Sequence, residues 1–92
     1  MDDKKLETLF HASASFVKTL PTRPNNDELL KLYALYKQAT CGNCNIPEPG
    51  LFAIQAKSKW RAWNSALDMD KKDAMHHYID FVKALNMKYG NN

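Results

Sequence analysis

Tyr33, Tyr36 and Lys37 are three and four residues apart, so a helix through them carries two phenols and an ammonium on one face. That grouping is unusual for a core-facing stripe. The chain as a whole carries a formal charge of +3 with a pI near 8.9, which favours anionic partners. Its ten carboxylates are interspersed with thirteen basic side chains, so it lacks the concentrated basic stripe of a nucleic-acid binder. A phosphate-bearing small molecule fits this mild excess. Cys41 and Cys44, in Cys-Gly-Asn-Cys, raise redox or zinc chemistry. A structural zinc site needs four ligands, however, and a thioredoxin-type pair sits at a helix N-terminus, whereas this pair follows a helix. His76 and His77 are adjacent on one helix and point different ways, and His11 is isolated, so no metal site is expected. No combination of nucleophile, base and orienting acid can be identified, so the expectation is a binding protein without catalytic residues.

Four segments must position these residues. Leu6, Leu9, Phe10, Ala14, Val17 and Leu20 recur at helical spacing and predict a first helix, stopped by Pro21-Thr-Arg-Pro24. Asn25 and Glu28 form a capping-box pattern that opens a second helix through Leu29, Leu30, Tyr33, Tyr36 and Ala39. Turn formers from Cys41 to Gly50 read as an ordered loop crossing one end of the molecule. A third helix is predicted from about Ala53 to Leu67, with Ile54, Trp60, Trp63 and Leu67 on its apolar stripe and both tryptophans in the core. Asp70 and Asp73 offer an acidic start for a fourth, which carries Ala74, Tyr78, Ile79, Val82, Leu85 and Tyr89 and ends at Gly90.

Strand-like alternation and internal repeats are absent, so the fold class is all-α, with the 92 residues forming one domain over 1–92. The longest apolar run, Leu32 to Tyr36, is far below the ~20 residues needed to span a bilayer, and the start Met-Asp-Asp-Lys-Lys has no signal-peptide pattern. Cytoplasmic residence without stable membrane insertion is the expectation.

Two longer blocks are more specific: Tyr33-Ala-Leu-Tyr36-Lys37-Gln38-Ala39-Thr40, and Lys57-Ser-Lys59-Trp60-Arg61-Ala62-Trp63-Asn64. With Gly42, Pro49-Gly50, Asp73-Ala74-Met75 and Tyr78-Ile79 they come in the order and spacing of the acyl-CoA-binding protein family, which the chain resembles over nearly its whole length. The resemblance implies a four-helix bundle in up-down-down-up order, with a surface bowl that holds one long-chain fatty acyl-CoA per monomer as carrier and pool former. By position, it places Tyr33, Lys37 and Lys59 around the 3′-phosphate of CoA and Tyr78 beside the adenine and ribose. Tyr36 matches a further nucleotide contact, with Ala34 and Leu35 in the same block. Lys18 matches a basic residue near the head group, and Leu29 and Leu30 match positions lining the acyl groove. Acyl-CoA is thus the expected ligand, no cofactor is implied, and enzymes or membranes that exchange acyl-CoA are the expected transient contacts.

The energetics fit these roles. One ion contact is worth ~4 kcal/mol before desolvation at ~4 Å and an effective dielectric near 20, and stacking a base adds ~1 to 3 kcal/mol. Each buried methylene contributes ~0.8 kcal/mol, so ten total ~8 and the acyl chain contributes more than any one head-group contact. Two departures from the family pattern stand out: Gln55 where lysine is frequent, which removes one phosphate contact, and Asn43 in place of an acidic residue. The family generally has apolar residues at the two cysteine positions, so both thiols are expected to be small buried hydrophobes. Two other readings stay open, a thiol redox protein using Cys41 and Cys44 and a helical protein-interaction or nucleic-acid module.

Overall fold

The computed structural model describes residues 2–90; the ends of the expected 1–92 domain lie outside the described residues. They form four helices, α1 (Asp3–Val17), α2 (Asn26–Cys41), α3 (Ile54–Asn64) and α4 (Lys71–Tyr89). The chemistry of the helix ends explains most of the boundaries. Asp2 caps α1 by accepting from the Lys5 N–H at 2.7 Å, and the expected capping box of α2 is formed in both directions, at 2.8 and 2.9 Å. Asp70 accepts from the Lys72 N–H at the start of α4. Two helices stop earlier than their apolar periodicity suggests. α1 ends at Val17, with Thr19 bonded back to the Phe16 carbonyl. α3 ends at Asn64, because the chain turns there and Asp68 takes a left-handed conformation at φ 69°.

Cross-helix pairs set the directions. Asp3 meets Lys72 at 2.8 Å and Phe10 meets Tyr78 at 5.0 Å between ring centroids, so α1 and α4 run the same way. Glu28, at the start of α2, holds Lys88 and Tyr89 at the end of α4, so α2 opposes them. Lys59 lies over Tyr33 and Lys37 over Trp63, so α3 runs parallel to α2. The order is up-down-down-up, and α2 lies between α4 and α3. The core is Leu6, Phe10, Leu32, Leu35, Ala39, Ala74, Tyr78, Ile79, Val82 and Leu85.

Two consecutive parallel helices require the connector to travel back the length of the bundle. The segment 42–53 therefore does not cross one end as expected. It runs along α3 in the opposite sense, with Trp63 Nε1 donating to the Gly42 carbonyl, Trp60 Nε1 to the Ile46 carbonyl, each at 2.8 Å, and Lys57 pairing with Glu48 at 3.2 Å. This path corrects further expectations. Trp63 is buried, but Trp60 is only half-buried, because its indole covers the connector rather than the core. Ile54 and Leu67 are exposed, since α3 packs on one helix only. Cys41 is exposed and Cys44 half-buried, both as free thiols, so neither is a core side chain; the first ends α2 on its solvent side.

Candidate functional site

The face of α2 that carries Tyr33 also carries Leu29, Leu30 and Lys37, because these positions recur at helical spacing. α3 flanks this face. Lys59 extends its ammonium to 5.6 Å from the centre of the Tyr33 ring, and the Lys37 ammonium sits 4.8 Å from the centre of the Trp63 ring. Both distances are in the range of cation–π attraction, which holds a flexible lysine near an aromatic face without neutralising its charge. Neither lysine has a carboxylate within ion-pair distance among the described residues. Two ammonium groups without a carboxylate partner and a phenol thus line the α2–α3 seam, Lys59 at Tyr33 and Lys37 one turn along at Trp63.

Beside them is a depression of about 350 Å³, lined by Arg23, Leu29, Leu30, Tyr33, Ile54 and Lys59 among others. A neighbouring depression of about 390 Å³ is lined by Lys18, Leu20, Arg23, Leu29 and Leu32 among others. The two share Arg23 and Leu29, so apolar side chains continue from the α2–α3 seam to the end of α1, with cations along the rim. This arrangement suits an elongated ligand with an anionic head and an apolar tail.

Tyr36 and Tyr78 form a second group, on the α1 side of the same helix. Their rings are 6.0 Å apart, and Phe10 stacks on Tyr36 at 5.5 Å. Tyr36 is exposed, while Tyr78 is buried beneath it. Burial, and secondarily the neighbouring Tyr36, push the Tyr78 hydroxyl above its ordinary pKa, so it stays a neutral hydrogen-bond donor at neutral pH. An aromatic shelf against which a planar group could stack results.

The sequence-predicted residues therefore divide. Tyr33, Lys59, Leu29 and Leu30 line one depression and Lys18 with Leu29 lines the next, while Lys37 lies one turn beyond Tyr33 on α2, over Trp63 and outside both linings. Ala34 and Leu35 line neither: both are buried, and with Ala62 and Met69 they line a separate recess that shares only Leu30 with the first depression. Sequence reasoning passed over Arg23 and placed Ile54 in a core stripe. Arg23 had a signal, a lone cation held between Pro21 and Pro24 just before the α2 cap. The exposure of Ile54 had none, because it depends on α3 lacking a second neighbour.

Gln38, within the Tyr-x-x-Tyr-Lys-Gln-Ala-Thr block, is buried and plays a structural part. Its amide donates to the Asn43 side chain at 3.0 Å and to the Met69 carbonyl at 2.8 Å. Asn43 in turn accepts from the Asp68 N–H at 2.7 Å and donates to the Asp68 carboxylate at 3.2 Å. This network ties the end of α2 to the turn after α3. An aspartate at position 43 would face the Asp68 carboxylate with a like charge, so the departure noted in the sequence suits this chain. Among the described residues no cluster of His, Cys, Asp or Glu could hold a metal ion, and no helix is long and apolar enough to cross a membrane.

Comparison with known proteins converges on one family. The profile of the family described as "Acyl CoA binding protein" matches residues 7–82. Acyl-CoA-binding protein homolog 1 of Caenorhabditis elegans is 48% identical over 81 residues, covering 88% of this chain and 94% of that protein. Enoyl-CoA delta isomerase 2 of Homo sapiens is 48% identical over 77 residues, which cover 84% of this chain but only 20% of that protein. The crystal structure of Oryza sativa Acyl-CoA-Binding Protein 2 superposes with a TM-score of 0.88 at 39% identity, covering 92% of each chain.

Proposed function

Since the chain belongs to the acyl-CoA-binding protein family, we propose that it binds long-chain fatty acyl-CoA esters, one per monomer, and carries them in the cytoplasm without a chemical step. The observation that supports this most is the line of Tyr33, Lys37 and Lys59 along the α2–α3 seam, with Tyr33 and Lys59 bordering an apolar-lined depression.

In this reading the Lys37 and Lys59 ammonium groups and the Tyr33 hydroxyl hold the 3′-phosphate of CoA. A dianionic group needs several donors, and lysine serves as a mobile point charge for it. The adenine rests on the shelf of Tyr36 and Tyr78, with the neutral Tyr78 hydroxyl as donor. Leu29 and Leu30 line the path of the acyl chain, and Lys18 and Arg23 stand along the rim where the remaining phosphates pass. Ala34 and Leu35 contribute by seating α2 on its neighbours. Because the tail contributes ~0.8 kcal/mol per buried methylene, affinity rises with chain length until the apolar path is filled.

Isothermal titration with palmitoyl-CoA tests the proposal. Saturable one-to-one binding is expected, weakened ~10- to 100-fold by Lys59→Ala, the loss of one hydrogen bond to a charged group, and weakened more by removal of the 3′-phosphate, which loses the contacts of Tyr33, Lys37 and Lys59 together. Equal affinity for free palmitate would overturn it.

A further inference from the structure

Turn tips are ordinarily built from small and polar residues. The turn that leads into α3 is not. The Ala53 N–H bonds to the Gly50 carbonyl at 3.1 Å, which puts Leu51 and Phe52 at its two central positions, 78% and 98% exposed. Ile54, the first residue of α3, is 73% exposed and reaches the rim of the ligand depression. Three large apolar side chains thus project into water from four consecutive positions.

Their surroundings are cationic. Ile54 shares the depression with Arg23 and Lys59, neither of which is paired with a carboxylate among the described residues. On the other side, Lys57 and Arg61 share the single carboxylate of Glu48, at 3.2 and 4.0 Å. An apolar wedge with unpaired cations at its Ile54 end matches the boundary between anionic headgroups and acyl chains. Three side chains on one turn fall well short of the ~800 Å² per partner of a stable protein interface.

We propose that the Gly50–Ala53 turn is an interfacial anchor, with Leu51, Phe52 and Ile54 entering an anionic bilayer while the cations beside Ile54 and along α3 meet lipid phosphates. The proposal rests on the acyl-CoA reading for its purpose. Ile54 belongs to both the wedge and the depression, so docking would set the mouth of the acyl path against the membrane and let a hydrocarbon tail pass without crossing water.

Vesicle co-sedimentation tests it, using phosphatidylcholine with and without phosphatidylserine, alongside palmitoyl-CoA titration in vesicle-free buffer. The unmodified protein is expected to bind the anionic vesicles, more weakly at high salt and more weakly to phosphatidylcholine alone. The variant Leu51→Ser/Phe52→Ser is expected to bind them at least tenfold less, since neither position then gains from leaving water for hydrocarbon, with unchanged palmitoyl-CoA affinity and thermal melting. Absence of vesicle binding by the unmodified protein overturns the anchor, as does undiminished binding by the variant. If the variant loses ligand and vesicle affinity together, Phe52→Trp decides: emission gained over the parent protein must be quenched by lipids brominated along the acyl chain, and unquenched emission overturns the anchor. Failure of the unmodified protein to bind palmitoyl-CoA in solution would sink the ligand reading alone and leave the vesicle result standing.

Discussion

Across the α1–α4 and α4–α2 seams the helices meet through large apolar side chains. Phe10, Leu35, Tyr78, Ile79, Val82 and Leu85 interlock there in one buried cluster. Across the α2–α3 seam the attachment is different in kind. Trp63 is the one buried side chain on α3, and the region is held by indole-to-carbonyl hydrogen bonds, cation–π contacts and the Gln38–Asn43–Asp68 network. The first region spends its apolar surface on the fold, and the second leaves Ile54, Leu51 and Phe52 uncovered and Lys37 and Lys59 free of carboxylates among the described residues. A groove persists beside α2 because nothing large enough fills it, and its cations stay available because no acid is placed against them.

Phe10→Ala should damage the filled half of the molecule most. Phe10 is completely buried, so its truncation should cost ~3 to 5 kcal/mol, measured by urea denaturation. A loss under about 1 kcal/mol would erase the contrast between the two regions. Lys37→Ala should do the reverse. Palmitoyl-CoA affinity is expected to fall by ~1.5 to 3 kcal/mol while the urea midpoint barely moves, and equal losses in both measurements would show that the lysine serves the fold.

Asn43→Ala probes the polar attachment, removing the acceptor for Gln38 and for the Asp68 N–H. A stability loss of ~1 to 2 kcal/mol is expected, with faster amide exchange confined to the connector and the turn after α3. The smallest effect belongs to Glu28, which clasps the start of α2 to the end of α4. Hydrogen bonds from Tyr89 and then Lys88 lower its pKa from 4.5 to about 2. The folded state therefore favours the carboxylate: its contribution is present above pH 4.5 and is lost as the pH falls towards 2. Glu28→Gln should lower the melting temperature slightly at neutral pH and flatten the acid limb of the stability curve. An unchanged acid limb would show the clasp to be without weight.

Much of the fold was legible because its signals are local. The Asn25–Glu28 capping box and the acidic start of α4 act within a few residues of themselves, and both appear where the pattern places them, whereas α1 ends at Val17, ahead of the prolines. Tyr33, Lys37 and Lys59 could be singled out because helical spacing and the two motif blocks mark them. The expectations that failed depended on a partner. Leu67 and Ile54 lie on an apolar stripe by spacing, but a stripe is buried only if something packs on it, and α3 has one helical neighbour. Cys41 ends α2 on its solvent side and Trp60 covers the connector instead of the core, and Ala34 and Leu35 were grouped with Tyr33 by sequence adjacency although successive helical positions face different ways.

The sequence alone determined the four helices, the caps of α2 and α4, the family pattern and the inventory of phenols, ammonium groups and apolar tails, since each depends on chemistry between near neighbours along the chain. The family pattern carried the parallel course of α2 and α3 as well, whereas the return path of the connector, the groove shared by Arg23 and Leu29, and the exposed wedge at Leu51 and Phe52 were decided only in three dimensions. Periodicity orients a side chain about its own helix axis; which helix, if any, stands opposite depends on how all the apolar faces are buried together.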